Sequence, residues 1–184
     1  MALIRLDIQT IVVGGGPVSS LMILKPHASN NIHTKNHNRG RLPIQIGPVE
    51  AMSIGTGVNS SSTQGGRPMT HDLLAMTIKA LGATLDAVMI NAVEGTTFFA
   101  QLRLIKSDGS MAFVDCRPSD AVALAVRTGT PIYTTTDVLN TASFPDFEDV
   151  EEEEKQHELS EFHKFVEGLS PEDFNESNKQ SNKQ

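Results

Sequence analysis

Two segments of this chain combine the same kinds of reactive and capping residue. Arg67-Pro68-Met69-Thr70-His71-Asp72 and Arg117-Pro118-Ser119-Asp120 each join Arg-Pro to a hydroxyl and an early aspartate. That order suits the opening of a helix, where free N–H groups favour anions. The forked guanidinium donors of Arg67 and Arg117 match the oxygens of a phosphate. Thr70 and Ser119 stand where a hydroxyl could reach the same ligand. Asp72 and Asp120 are of the type that holds a divalent ion, magnesium or manganese, which would activate water and shield developing charge. His71 could donate or accept a proton. Glu50, shortly after Gly47-Pro48, offers a third carboxylate for the same site. The chemistry these residues suggest is phosphodiester hydrolysis. The competing use is ordinary helix capping with Arg-Pro as a strand exit, and on spacing alone that is the commoner one.

Other reactive residues read as standing outside the site. His27, His33 and His37 fall in an Asn-rich stretch, where the four-residue spacing of the last two has no helix to make it a metal pair, and they read as solvated. Gly14-Gly15-Gly16 precedes no helix, so it is not a phosphate loop. Cys116 reads as a small buried strand residue, and as the single cysteine it excludes an internal disulfide framework and a cysteine-based zinc site. His157 and His163 read as surface residues.

The elements that must position these groups are legible from periodicity. Leu3 to Val13 alternates as a strand, Gly14 to Pro17 turns, and Ser20 to Leu24 returns. Pro26 to Gly40 has almost no apolar residues and reads as a loop. Arg41 to Ile46 is a short strand, Val49 to Val58 a helix, and Asn59 to Gly66 a Ser/Gly-rich linker. Thr70 is the expected N-cap of a helix that Gly82 ends, with Leu74, Ile78 and Leu81 on its apolar face. Strands follow at Ala87 to Val93, Thr97 to Lys106 and Met111 to Arg117. Ser119 is the expected cap of a helix that is apolar nearly all round from Ala121 to Val126, and so should be buried. Ile132 to Thr135 is a last short strand.

Asp108-Gly109 suggests a two-residue hairpin loop. That register would pair Leu104 with Phe113, Leu102 with Asp115, and Ala100 with Arg117. It would place the two charges of Asp115 and Arg117 at the edge of an apolar face, as an ion pair or as part of a polar site.

A chain of 184 residues and 39% apolar composition favours one domain with extensions. With no tryptophan and one tyrosine, its core must be mostly aliphatic. The net charge of −7 is unevenly spread. Residues 1–145 hold 11 basic and 9 acidic residues, a net of +2, whereas residues 146–176 hold 2 and 13, a net of −11. A near-neutral body is not built to grip nucleic acid by bulk charge, although a local basic site is compatible with it. No apolar run is long enough to span a membrane, and the alternating N-terminus does not read as a signal peptide. A soluble, cytoplasmic protein without membrane contact is expected.

Leu42-Pro43-Ile44-Gln45-Ile46-Gly47, Glu50-Ala51, Arg67 to Leu74, Thr97-Phe98-Phe99-Ala100, Asp115 to Ala125 and Pro131-Ile132-Tyr133 occur in an order that resembles the bifunctional nuclease domain family, over roughly Leu3 to Ala142. The tail segments Glu161 to Phe165 and Ser170 to Phe174 are similar to the ending of bacterial members. The resemblance implies an α+β fold, a homodimer and nuclease activity on RNA and DNA. It carries site roles onto Arg67, His71, Asp72, Arg117, Ser119 and Asp120, with Glu50 beside them. Gln45 stands where the family usually has an aromatic residue, and the Pro26 to Gly40 loop is longer than usual.

The expected architecture is therefore a compact α+β domain over residues 1–142, of short, largely antiparallel strands with helices packed on the sheet. An acidic linker and C-terminal amphipathic helix (143–174) and a disordered tail (175–184) would follow. The expected function is a nuclease acting on nucleic acid as substrate, with a divalent ion and no organic cofactor. The alternative is a non-catalytic dimeric binding or regulatory module, whose acidic tail recruits a protein partner.

Overall fold

The computed structural model describes residues 2–14, 19–27, 40–58 and 67–144. The expected C-terminal helix, the tail, and His33, His37, His157 and His163 lie outside the described residues. Seven strands form one mixed sheet: β1 (Leu3–Val12), β2 (Ser20–Pro26), β3 (Leu42–Ile46), β4 (Thr84–Glu94), β5 (Thr97–Ile105), β6 (Met111–Cys116) and β7 (Ile132–Thr135). Their order is β3-β2-β1-β7-β4-β5-β6, antiparallel except for the β4–β7 pair. Among the described residues four helices accompany them: α1 (Pro48–Val58), α2 (Thr70–Ala80), α3 (Pro118–Thr128) and α4 (Thr136–Ala142). The expected α+β class holds.

Alternation puts Ile4 and Leu6 of β1, Met22 and Leu24 of β2, and Leu42, Ile44 and Ile46 of β3 on the buried face. Residues Ala121 to Ala125 of α3 are all buried, as an all-round apolar helix requires. The α3 helix lies between α1 and α2 and also packs on β4 and β5. Gly57 allows the close approach of α1, because a Cβ there would press on Val126 and Arg127 of α3. This central placement of α3 brings its first turn to the sheet edge where the candidate residues gather.

The hairpin between β5 and β6 corrects the expected register. Lys106 N–H donates to Ser110 O, so the loop has three residues, Ser107 to Gly109, and Gly109 takes a positive φ of 79°. A turn followed by a left-handed glycine is the usual three-residue solution. It pairs Leu104 with Ala112, Leu102 with Val114, and Ala100 with Cys116. A one-residue shift moves every β6 side chain to the other face. Phe113 and Asp115 thus leave the helix-covered face, and Cys116 joins it.

The helix caps also shift. Met69, not Thr70, is the N-cap of α2, and Arg117, not Ser119, is the N-cap of α3. Asp72 does the capping in α2: its Oδ2 accepts from Met69 N–H at 2.8 Å. Pro118 sets the first residue of α3, which places Ser119 inside the first turn rather than before it. Short α4 was not anticipated; it starts at Thr135, whose hydroxyl accepts from Val138 N–H.

Candidate functional site

Arg117 ends the strand segment and opens α3, and two carboxylates hold it. Its Nε and Nη2 donate to Asp120 Oδ2 and Oδ1 at 2.7 and 3.0 Å, and its Nη1 donates to Glu50 Oε1 at 3.0 Å. Asp120 Oδ1 also lies 3.2 Å from His71 Nε2. One chain of contacts, Glu50–Arg117–Asp120–His71, therefore joins the first turns of α1, α2 and α3. Glu50 reaches Arg117 by folding back over Gly47, where a Cβ would strike its carboxylate. A side chain at position 47 would push the Glu50 carboxylate out of this place.

The side chain of Arg117 is 64% exposed, while that of His71 is only 15% exposed. The arginine is presented to solvent and the histidine sits behind it. The paired guanidinium, and then His71, hold the Asp120 carboxyl below the ordinary carboxylate range, against a smaller opposing effect of burial. The same pairing raises the Arg117 guanidinium, so it stays charged at any ordinary pH.

Beside this chain of contacts lies an open cleft of about 300 Å³. Ile44 to Gly47 at the end of β3, Thr96 to Phe98 at the start of β5, and Arg117 to Ser119 line it, together with Glu50. Ser119 is 6% exposed yet faces this cleft. Of the expected site residues, Glu50, Arg117 and Ser119 thus meet at one concavity, with Asp120 and His71 bound directly behind Arg117.

Asp72, Arg67 and Thr70 do not join them. Asp72 Oδ1 accepts from Arg127 Nε at 2.6 Å, and Arg127 also donates to the carbonyls of Ser53 and Ala123. The side chain of Arg127 is 7% exposed, so this is a buried arginine clamping α1, α2 and α3. Sequence reasoning missed it, because a basic residue in the last turn of a helix ordinarily only complements the helix dipole. Its helix is apolar all round, which was the available signal that any long side chain there must be buried. Arg67 and Thr70 are exposed at the start of α2. His27, expected in solvent, has its Nδ1 2.6 Å from Asp7 Oδ2. Cys116 is half-buried, and burial, followed by the Asp115 and Asp120 charges, pushes its thiol up to about 11. It is not a reactive thiolate.

The carboxylates do not fit a divalent ion. Both Asp120 oxygens and Glu50 Oε1 are taken by Arg117, and both Asp72 oxygens by Met69 N–H and Arg127. Among the described residues, no three His, Cys, Asp or Glu side chains group as metal ligands. Asp72 and Asp120 serve two different arginines rather than one cation.

The carboxyls of Asp72 and Asp120 are both held low, the first chiefly by the Met69 N–H and then Arg127, the second chiefly by Arg117. A depressed folded-state pKa adds stability that is fully present above the unfolded value of 3.8 and is lost as pH falls through the folded value. Thermal melts between pH 7 and pH 2 should show a melting temperature that is flat above about pH 5 and falls below pH 4, as these carboxylates take up protons. In Asp72→Ala the acid-side fall should be shallower.

Among the described residues, no helix is long and apolar enough to cross a membrane. Comparison with known proteins shows the family. The bifunctional nuclease domain, as a sequence family, matches residues 32–146. Two uncharacterized proteins from two strains of Mycobacterium tuberculosis are each 39% identical over 140 residues, covering 72% of this chain and 80% of theirs.

Proposed function

Because the chain belongs to the bifunctional nuclease domain family, which points to work on nucleic acid, we propose that it hydrolyses phosphodiester bonds at the cleft beside Arg117. The observation that carries this reading is the placement of a permanently charged, exposed arginine next to the first turn of α3 and a buried serine, all at one concavity. The N–H groups of Ser119 and Asp120 precede the first rung of α3, Ala121 N–H to Arg117 O, and so remain available to an anion. Arg117 keeps N–H groups beyond the three that its carboxylates use, and these can meet phosphate oxygens as charge builds. Asp120 orients His71 through Nε2, and because His71 does not line the cleft, its Nδ1 is left to exchange a proton with the site through water. Asp72, with Arg127, anchors the start of α2 to α3 and stands outside the reaction. Thr70 and Arg67, at the same helix start, are placed to meet the substrate strand outside the cleft.

Hydrolysis of labelled RNA and DNA oligonucleotides by the purified chain tests this reading. Cleavage that persists in excess chelator and is lost in Arg117→Ala is the expected result. No cleavage with or without magnesium or manganese would leave a binding module, and cleavage abolished by chelator would restore the metal.

The nuclease works as a homodimer in this reading, and α2 supplies the contact. None of its residues is buried, and Met69, Leu73, Leu74, Met76 and Leu81 are 39% to 78% exposed. An apolar surface of that extent belongs against another apolar surface. A self-complementary apolar patch with few charges is what a twofold contact needs. Sedimentation equilibrium should give about twice 19.9 kDa, and Leu73→Glu with Met76→Glu should give the single-chain mass. A concentration-independent mass near 20 kDa for the unaltered chain would rule the dimer out.

A further inference from the structure

We infer that the cleft takes one unpaired nucleotide at a time, so that the substrate is single-stranded nucleic acid and not duplex. This rests on the proposed nuclease reading for the site but concerns what enters it. The cleft, at about 300 Å³, is at the small end of ligand sites and matches a single nucleotide. Its walls divide by chemistry. Ile44, Ile46 and the half-buried Phe98 form an apolar side, while Gln45, Thr96 and Thr97 are exposed and polar. A base needs an apolar surface or aromatic ring for its face and polar groups for its edge.

The phosphate end is independently marked. Ser119 is 94% buried and lines the cleft, and its hydroxyl, which has no partner among the described residues, is not one of the polar atoms cut off from solvent, so it is open to a ligand in the cleft. It stands beside the free N–H groups of the first turn of α3, where the helix dipole favours negative charge. A base paired in a duplex could not reach the Phe98 wall while its phosphate sits on α3. The body, with a net charge of only +2 over residues 1–145, also lacks the broad basic face that would hold a duplex from outside.

The chain has no tryptophan, so Gln45→Trp in the full-length protein gives a single reporter at the cleft. Gln45 is exposed on edge strand β3 and among the described residues its side chain bonds to Ser19 alone, so the substitution spares the core. A twelve-residue thymidine strand, titrated in chelator at low salt, should quench this fluorescence at a concentration at least tenfold lower than the same length of blunt duplex. Ser119→Ala in that background should weaken the single-strand response at least fivefold. Fluorescence anisotropy of labelled strand and duplex with the unaltered chain should show the same preference, independently of how the variant folds. Equal binding of duplex, or no single-strand binding in either measurement, overturns the inference. Equal cleavage of both forms would overturn it and leave the nuclease reading standing. Single-strand binding without cleavage would remove the nuclease reading and leave the cleft assignment intact.

Discussion

Asp120→Asn should lower oligonucleotide hydrolysis at least a hundredfold while the melting temperature moves by only a few degrees. The carboxylate touches both parts of the proposed site. It holds Arg117 through two donors and His71 through a third contact. Asparagine keeps the size but has one acceptor oxygen and no charge, so it cannot hold both. A hundredfold loss corresponds to about 2.7 kcal/mol of transition-state stabilisation. The folded state has less at stake. Arg117 is largely exposed, and an ion pair of that kind contributes at most about 1 kcal/mol. Losing an acidic residue from the first turn of a helix costs about 0.3–1 kcal/mol more. Steady-state rates and melting curves on the same preparation check the split. His71→Asn should show the same loss of rate, and the double variant should be little worse than either, because the two side chains act as one unit. Unchanged hydrolysis with lowered stability in both variants would turn the network into a structural brace and leave the binding-module alternative.

Asp72→Ala should do the reverse: a drop of about 10 °C in melting temperature, with hydrolysis near the unaltered rate below the transition. Arg127 is buried and takes Asp72 as its only acidic partner among the described residues. Removing that partner strands a charge inside the protein, at a cost of about 3 kcal/mol, the low end for an uncompensated buried ion, because the Ser53 and Ala123 carbonyls still accept from it. The N-cap bond to Met69 goes too, which costs about 1 kcal/mol in a typical helix. For a folded body of this size each kcal/mol moves the midpoint by about 3 °C. Differential scanning calorimetry reads the shift. A stable Asp72→Ala protein that has lost hydrolysis would instead put this carboxylate in the reaction and reopen the metal site.

These two aspartates open their helices at nearly the same offset from an Arg-Pro pair, and nothing local distinguishes them. The sequence motif groups them as one metal pair. The fold assigns Asp120 to an exposed arginine three residues before it and Asp72 to a buried arginine 55 positions after it. The Gly82 stop, the burial of α3 and the helix starts to within one or two residues were legible, because they depend on residues within a few positions of one another. The strands were legible for the same reason, since alternation is a two-residue pattern. The β5–β6 register was missed by one residue, because Asp108-Gly109 suits a two-residue or a three-residue loop and only the Lys106 to Ser110 bond chooses between them.

Resemblance of ordered motifs supplied the family and the α+β class, and residue types and short spacings supplied the candidates Glu50, His71, Arg117, Ser119 and Asp120. Convergence was not available at that level. That Glu50 reaches Arg117 across 67 positions, that Ser119 lies under a cleft walled by β3 and β5, and that Arg127 removes Asp72 from the site all follow from α3 lying between α1 and α2 and against the sheet. Local sequence sets which groups a segment can offer. Which of them meet depends on how the apolar faces of distant segments pack together, and that is settled only when the whole core forms.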